Sequence, residues 1–306
     1  MITSALWLPA TLMAALFQSW RTAVQQRLRS ELSVSGAGLV RYVYGWPVAL
    51  AMAAGYSIAK GYGWPAIDRT FLVWAAAGGI AQIFATNLLI MAFGYRNFVV
   101  GTAFSKTETV QAALFAWLFL GERLSAAAIG GIIIGLAGVA LLTLGGKRLS
   151  PQDILGAIGQ PAALCGLAAG ALFALTGVFV KRATLELASA DPVRASLVTL
   201  VTVTMLQSVI HGTYIALREP ATLRQVARTW RSSGQVGILA ALGSAGWFTG
   251  FATAPVALVR LVGQVEVLFT LGFAHLYLGE RTRRHETLGL LLVATGVGLA
   301  LLGQII

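Results

Sequence analysis

The chain has 306 residues, 57% hydrophobic and only 11% charged, with 35 glycines, 8 prolines and one cysteine. A soluble domain carries about 25% charged residues, so a water-soluble globular protein is excluded, as is a disulfide framework or cysteine-rich metal site built on the lone Cys165. The formal charge of +11 would suggest nucleic acid in a soluble protein, but here the basic residues lie mostly in short loops between apolar runs, where they orient spans and meet anionic lipid.

At about 20 apolar residues per span, the chain accommodates ten membrane helices. They are helices because the runs are continuously apolar and do not alternate with a period of two. The first, 5–25, has no basic stretch before it and reads as a retained span; Gln18, Arg21 and Gln25 form a polar stripe along it. The second, 36–59, contains Gly45-Trp46-Pro47, where proline removes an internal hydrogen bond and kinks the helix. The third, 70–93, carries Gln82, Thr86 and Asn87; the fourth, 97–120, carries Lys106 and Glu108; the fifth, 124–144, carries Gly131, Gly135 and Gly138. Helices six and seven are expected at 158–180 and 192–217, followed by an arginine-rich stretch, Arg218–Gly234, suited to lying along the membrane interface. Helix eight, 235–253, holds Trp247; helix nine, 255–278, holds Arg260, Gln264 and Glu266; helix ten, 285–304, holds Gly289, Gly296 and Gly298.

An internal repeat organises these runs. Shifting the chain by 158 residues carries Glu108 onto Glu266 and Leu120-Gly121-Glu122-Arg123 onto Leu278-Gly279-Glu280-Arg281. The same ungapped register matches Phe115 to Phe273, Gly131 to Gly289 and Gly138 to Gly296. Each half then holds five helices, and an odd number sends the second half into the membrane in the opposite sense. The expected architecture is therefore all-α: a polytopic protein with ten transmembrane helices, built from two inverted five-helix repeats at 1–146 and 158–306 joined by a linker at 147–157.

The Leu-Gly-Glu-Arg junctions, each followed by its two glycines, resemble the drug/metabolite transporter superfamily, and within it the ten-helix EamA-type members. The resemblance covers nearly the whole chain and implies transport of a small organic molecule, with the last helix of each half packed together as scaffold. The junction also reads physically. Gly121 ends a helix at its C-cap, and Glu122 then favours the dipole at the start of the next helix.

Ionisable groups deep in a span are costly unless they pair or line a wet cavity. Of the eleven acidic residues only Glu108 and Glu266 fall near mid-helix, and of the 22 basic residues only Arg21, Arg41, Lys106 and Arg260 do. Arg21 and Arg41 lie near adjoining helix ends and face either the cavity or the head groups. Lys106 and Glu108 stand roughly 200° apart on a continuous helix, which sends one to the cavity and the other against a neighbouring helix; Gln264 and Glu266 repeat the arrangement. Lys106 resembles the cavity lysine of triose-phosphate and nucleotide-sugar carriers. The candidate substrate contacts are Lys106, Arg21, Gln18, Gln82, Thr86, Asn87, Gln264, Trp247 and Tyr44. Glu108, Glu266 and Arg260 form either a fixed buried ion pair or a proton-coupling group.

These features point to a secondary transporter of a small carboxylate- or phosphate-bearing metabolite such as an amino acid. A cationic-drug exporter is the alternative, and a non-transporting scaffold subunit the alternative from another class. Asp68, Asp153 and Asp191 fall in loops or at helix ends, and His211, His275 and His285 lack metal-ligand spacing, so neither an intramembrane enzyme, a metal nor a cofactor is expected. The expected partners are a small-molecule substrate and membrane lipids, not nucleic acid, in the inner (cytoplasmic) membrane, as a monomer or a homodimer. The loops on the side of the first connection carry more Lys and Arg than those opposite, which places both termini outside; the resembled family keeps them inside.

Overall fold

A computed structural model describes residues 5–28, 31–92, 104–143, 160–187, 189–269 and 284–303. Within these the chain forms α1 (Trp7–Leu28), α2 (Val34–Val43), α3 (Gly45–Lys60), α4 (Arg69–Ala92), α5 (Glu108–Leu120), α6 (Ala126–Thr143), α7 (Pro161–Glu186), α8 (Pro192–Arg218), α9 (Pro220–Arg228), α10 (Trp230–Thr253), α11 (Val256–Gly263) and α12 (Arg284–Leu302). No strand occurs among the described residues. Four helices, α4, α7, α8 and α10, are long and apolar enough to cross a membrane, and Glu108–Leu120, Ala126–Leu142 and Leu288–Leu302 are shorter apolar helices.

The expected kink in the second span is a full break. Tyr44 separates α2 from α3, with Gly45 opening the second piece. Ser33 caps α2 by accepting from the Gly36 amide, and Gly61, at φ 69°, ends α3. The Arg218–Gly234 stretch folds as the short α9, with Thr222 and Val226 buried and Arg224 and Arg228 exposed. That division makes it amphipathic. α10 begins at Trp230, ahead of the expected 235, and α7 runs on to Glu186 beyond the expected 180.

The chain gathers into two compact units, each drawing on both sequence halves: Met1–Ile83 with Thr176–Ala254, and Phe84–Leu175 with Pro255–Ile306. In the first, α10 packs along α1, and α8 packs on α2, α3 and α10. Leu28, Leu32, Ala37, Val40, Val226 and Val236 form a buried cluster under the α2–α3 break. Asp191 caps α8, its Oδ1 accepting from the Val193 and Arg194 amides at 2.9 and 3.1 Å and its Oδ2 from the Tyr56 hydroxyl at 2.8 Å. Burial pushes this carboxyl up, but the Arg194 amide, Tyr56, the Val193 amide and the charge of Lys60 outweigh it and hold it below the usual range. A depressed carboxyl stabilises fully above its unfolded value and loses that contribution as pH falls through the folded one. Asp191→Ala is expected to cost about 1 kcal/mol, a fall of about 2–4 °C in Tm that shrinks towards zero in unfolding measured at acid pH.

In the second unit α12 lies along α6, and α5 packs on α11. A Cβ placed on Gly131 would stand 2.5 Å from the Gly296 carbonyl oxygen, and one on Gly138 would stand 2.7 Å from that of Gly289. These glycines let the two backbones touch, as small residues do where apolar collapse gives no drive between helices. Gly121 ends α5 at φ 66°, its amide donating to the Trp117 carbonyl and the Glu122 amide to that of Ala116, a left-handed glycine C-cap.

Candidate functional site

The chemistry of the second unit is concentrated where its helices are interrupted. Residues 104–105 are helical, 106–107 turn, and α5 starts at Glu108; α11 ends at Gly263, 264–265 turn, and helix resumes at 266–269. The two interruptions fall on residues 158 apart, so the repeat extends to the backbone. Because the helix is broken between them, Lys106 and Glu108 do not occupy opposite faces of one continuous helix, as the spacing alone implies. Lys106 meets Glu266, at the other interruption, and Glu108 meets Arg260, on the helix that leads into it. The Lys106 ammonium forms a salt bridge with Glu266. The Arg260 guanidinium lies 2.7 Å from Glu108 Oε1 without hydrogen-bond alignment, while its other nitrogen donates to the Phe173 carbonyl at 2.9 Å. Gln264 donates to Thr109 at 2.9 Å.

The result is a neutral quartet of two acids and two bases. Each acid begins a helical segment, where the backbone dipole favours negative charge. Mutual compensation is the condition for keeping such groups away from water, since removing one member of a buried pair costs about 3–5 kcal/mol. The Lys106–Glu266 pair is the more open, with side chains 18% and 17% exposed against 11% and 14% for Arg260–Glu108. α7 passes close by: a Cβ on Gly170 would stand 2.9 Å from the Ser105 carbonyl oxygen. Glu122 is not at the start of the helix that follows it in sequence. Its Oε2 accepts at 2.9 Å from the Val256 amide and so serves the N-terminus of α11; its repeat counterpart Glu280, with Arg281, lies outside the described residues. No cluster of three metal-ligating side chains occurs among the described residues.

The EamA-like transporter family model matches residues 5–144 and again 160–302. The chain belongs to this family. It is a multi-pass membrane transporter, and members of the family are transporters, not enzymes. One matched segment falls in each half of the internal repeat. Twenty-nine chains of solved structures also match. One, titled only as the crystal structure of a protein, is 18% identical over 96% of this chain and 98% of its own, with a TM-score of 0.70, which shows the fold. No curated protein sequence matches.

In this transporter the other candidate residues divide between the units. Thr86 is buried and Asn87 half-buried on the part of α4 that belongs with the quartet's unit. The rest belong to the first unit. Gln18 accepts from the Trp247 indole at 3.0 Å, joining α1 to α10, and Gln25 donates to the Ala37 carbonyl at 2.5 Å. Arg21 is half-buried between them on α1. The Tyr44 hydroxyl donates to the Val226 carbonyl at 3.1 Å and ties α9 to the α2–α3 break. Gln82 accepts from Gln207 at 2.8 Å. Gln207 and His211, spaced i, i+4 on apolar α8 and both buried, were not singled out as contacts from the sequence. Their i, i+4 spacing puts both on one helix face and was readable from the sequence.

Proposed function

We propose that this transporter moves a small organic metabolite bearing a carboxylate or phosphate, an amino acid being the plainest case, across the cytoplasmic membrane by alternating access. Lys106 is the substrate-facing cation, Gln264, Thr86 and Asn87 are candidate contacts in the same unit, and Glu108, Glu266 and Arg260 are the coupling groups. The observation that supports this is the half-open Lys106–Glu266 pair at two repeat-related helix interruptions. A zwitterion can enter such a pair without leaving a charge uncompensated. Its carboxylate replaces Glu266 on Lys106, and its ammonium replaces Lys106 on Glu266. An anion lacking an ammonium leaves Glu266 to take up a proton, so its movement is proton-coupled. Broken helices that present charge at membrane depth are a recurrent way to build a transport site.

Uptake of a radiolabelled panel of amino acids, carboxylates and phosphate esters into proteoliposomes tests the reading. Saturable uptake is expected for a zwitterionic or anionic compound, with acidification of the lumen when the compound lacks an ammonium. No movement of any class, under a substrate, sodium or proton gradient, would overturn it.

A further inference from the structure

The arginine-rich corner between α8 and α10 takes no part in the quartet and lies wholly within the first unit. Its inner side is fixed. Thr222 and Val226, one turn apart on α9, are buried, Val226 in the cluster under the α2–α3 break. The Tyr44 hydroxyl holds the Val226 carbonyl, and the Glu219 carboxylate accepts from Ser33 at 2.9 Å and from Thr222 at 3.1 Å. The outer side is cationic. Arg224 and Arg228 stand i, i+4 on α9 and share a face. Arg231 follows one turn later, because the Thr229 and Ser233 amides donate to the carbonyls four residues back and carry the helical bonding into α10. All three arginines are exposed, as is Arg218. None of the four forms an ion pair among the described residues. Glu219, the one acid between Asp191 and Glu266 in the sequence, is engaged by Ser33 and Thr222 instead.

The depth of this corner follows from helix length. α8 has 27 residues, about 40 Å, against a hydrocarbon core of about 30 Å, so its end and α9 emerge at the head groups. The side chains fit that level. Trp230 is 59% exposed, as aromatic residues at the membrane interface are, and the Arg231 guanidinium stands 5.4 Å from its ring centre. On the membrane side of the arginines, Leu217 near the end of α8 is 77% exposed and Ile238 on α10 is also exposed. A cationic rim above an apolar wall is matched by one kind of partner. A free phosphate or an acidic soluble protein would engage the guanidiniums and leave the apolar side chains bare. A phospholipid covers both, its phosphate accepting charge-assisted hydrogen bonds from arginine and its chains lying on the apolar surface. A zwitterionic head group brings its own cation and compensates less of the charge.

We propose that Arg224, Arg228 and Arg231 form a docking face for the head group of an anionic phospholipid, whose chains cover Leu217 and Ile238. The face is independent of Lys106 and of the compound transported.

The test uses full-length protein in bilayer vesicles, with Cys165→Ala, a bimane label on Leu217→Cys, and lipids brominated near the head group as quenchers. At equal mole fraction, brominated phosphatidylglycerol is expected to quench more than brominated phosphatidylcholine, a preference of about tenfold or more. Arg228→Gln should lower that preference about fivefold, the value of one arginine near an anionic surface. Arg224→Gln, Arg228→Gln and Arg231→Gln together should abolish it. Lys60→Gln with Arg69→Gln should leave it intact, since these exposed cations flank the 61–68 connection, which meets the other end of α8 where Arg194 donates to the Gly63 carbonyl. Equal quenching by the two lipids overturns the proposal, as does a preference that survives the triple variant or one that Lys60→Gln with Arg69→Gln also removes. A preference lost to inorganic phosphate but not to chloride of equal ionic strength makes the face a free-phosphate site and overturns the lipid assignment.

Discussion

Lys106→Ala protein is expected to reach the membrane folded, with transport reduced about a hundredfold. One charge-assisted hydrogen bond is worth about 1.5–3 kcal/mol, which at about 1.4 kcal/mol per decade spans roughly one to two decades, and the loss of Glu266's partner adds to it. Because Glu266 is itself partly enclosed, the variant also tests whether the pair is only structural. The charge-reversed double variant, Lys106→Glu with Glu266→Lys, separates the two. Lys106→Glu alone brings two carboxylates together and is expected to reduce folded yield. The double reversal restores the pair and the yield, but moves the cation to the other interruption, so transport stays low. Transport at wild-type rate in Lys106→Ala removes Lys106 from the substrate's path, and a double reversal that recovers full transport makes the pair a fixed strut.

The second large effect concerns two glycines two residues apart. A Cβ on Gly296 would stand 2.6 Å from both the Gly131 carbonyl oxygen and the Gly135 amide nitrogen, whereas one on Gly298 meets nothing within 4 Å. Backbone cannot yield as a side-chain tip can, so Gly296→Ala must push α12 off α6, at about 1–3 kcal/mol for an overpacked contact. Gly298→Ala is expected to stabilise by about 0.5–1 kcal/mol, because alanine restricts the unfolded chain and favours helix. Thermal unfolding followed by tryptophan fluorescence in detergent should move the two Tm values in opposite directions. Equal shifts would mean that α6 and α12 do not meet at these residues.

The register that joins Glu108 to Glu266 was legible in the sequence because both the acids and the Leu-Gly-Glu-Arg junctions survive in each half. In the second span Gly45-Trp46-Pro47 marked a kink, whereas the chain breaks there into two helices at Tyr44. The interruption at 106–107 was not legible, since neither Lys106 nor Thr107 is a helix breaker and only Gly263 marks its counterpart. With the helix taken as continuous, Lys106 and Glu108 looked like opposites; the break puts both into one quartet. Glu122 was legible as a helix-start residue but not as the residue serving α11, whose Val256 is 134 positions away. Short-range spacing carries dipole and cap preferences, whereas pairing across the repeat depends on packing that no local pattern encodes. Gln207 and His211 could have been found by helical spacing, but only the structure shows that Gln207 Oε1 and both His211 ring nitrogens lack hydrogen-bond partners.

The interleaving of the chain between the two units bears on how the protein is made. Neither unit is contained in the first sequence half: α1 packs on α10, and α6 packs on α12. During synthesis the early segments therefore enter the bilayer before their packing partners exist. The first unit closes only after Ala254 has been translated, and the second only with the last helix. A nonsense mutation in the second half ahead of Val256 would strand α5 and α6 without α11 and α12, in a product suited to membrane proteolysis. Two half-genes divided at 147–157 could still yield transporter, provided both are expressed in one cell, because assembly depends on the halves meeting and not on their being one chain.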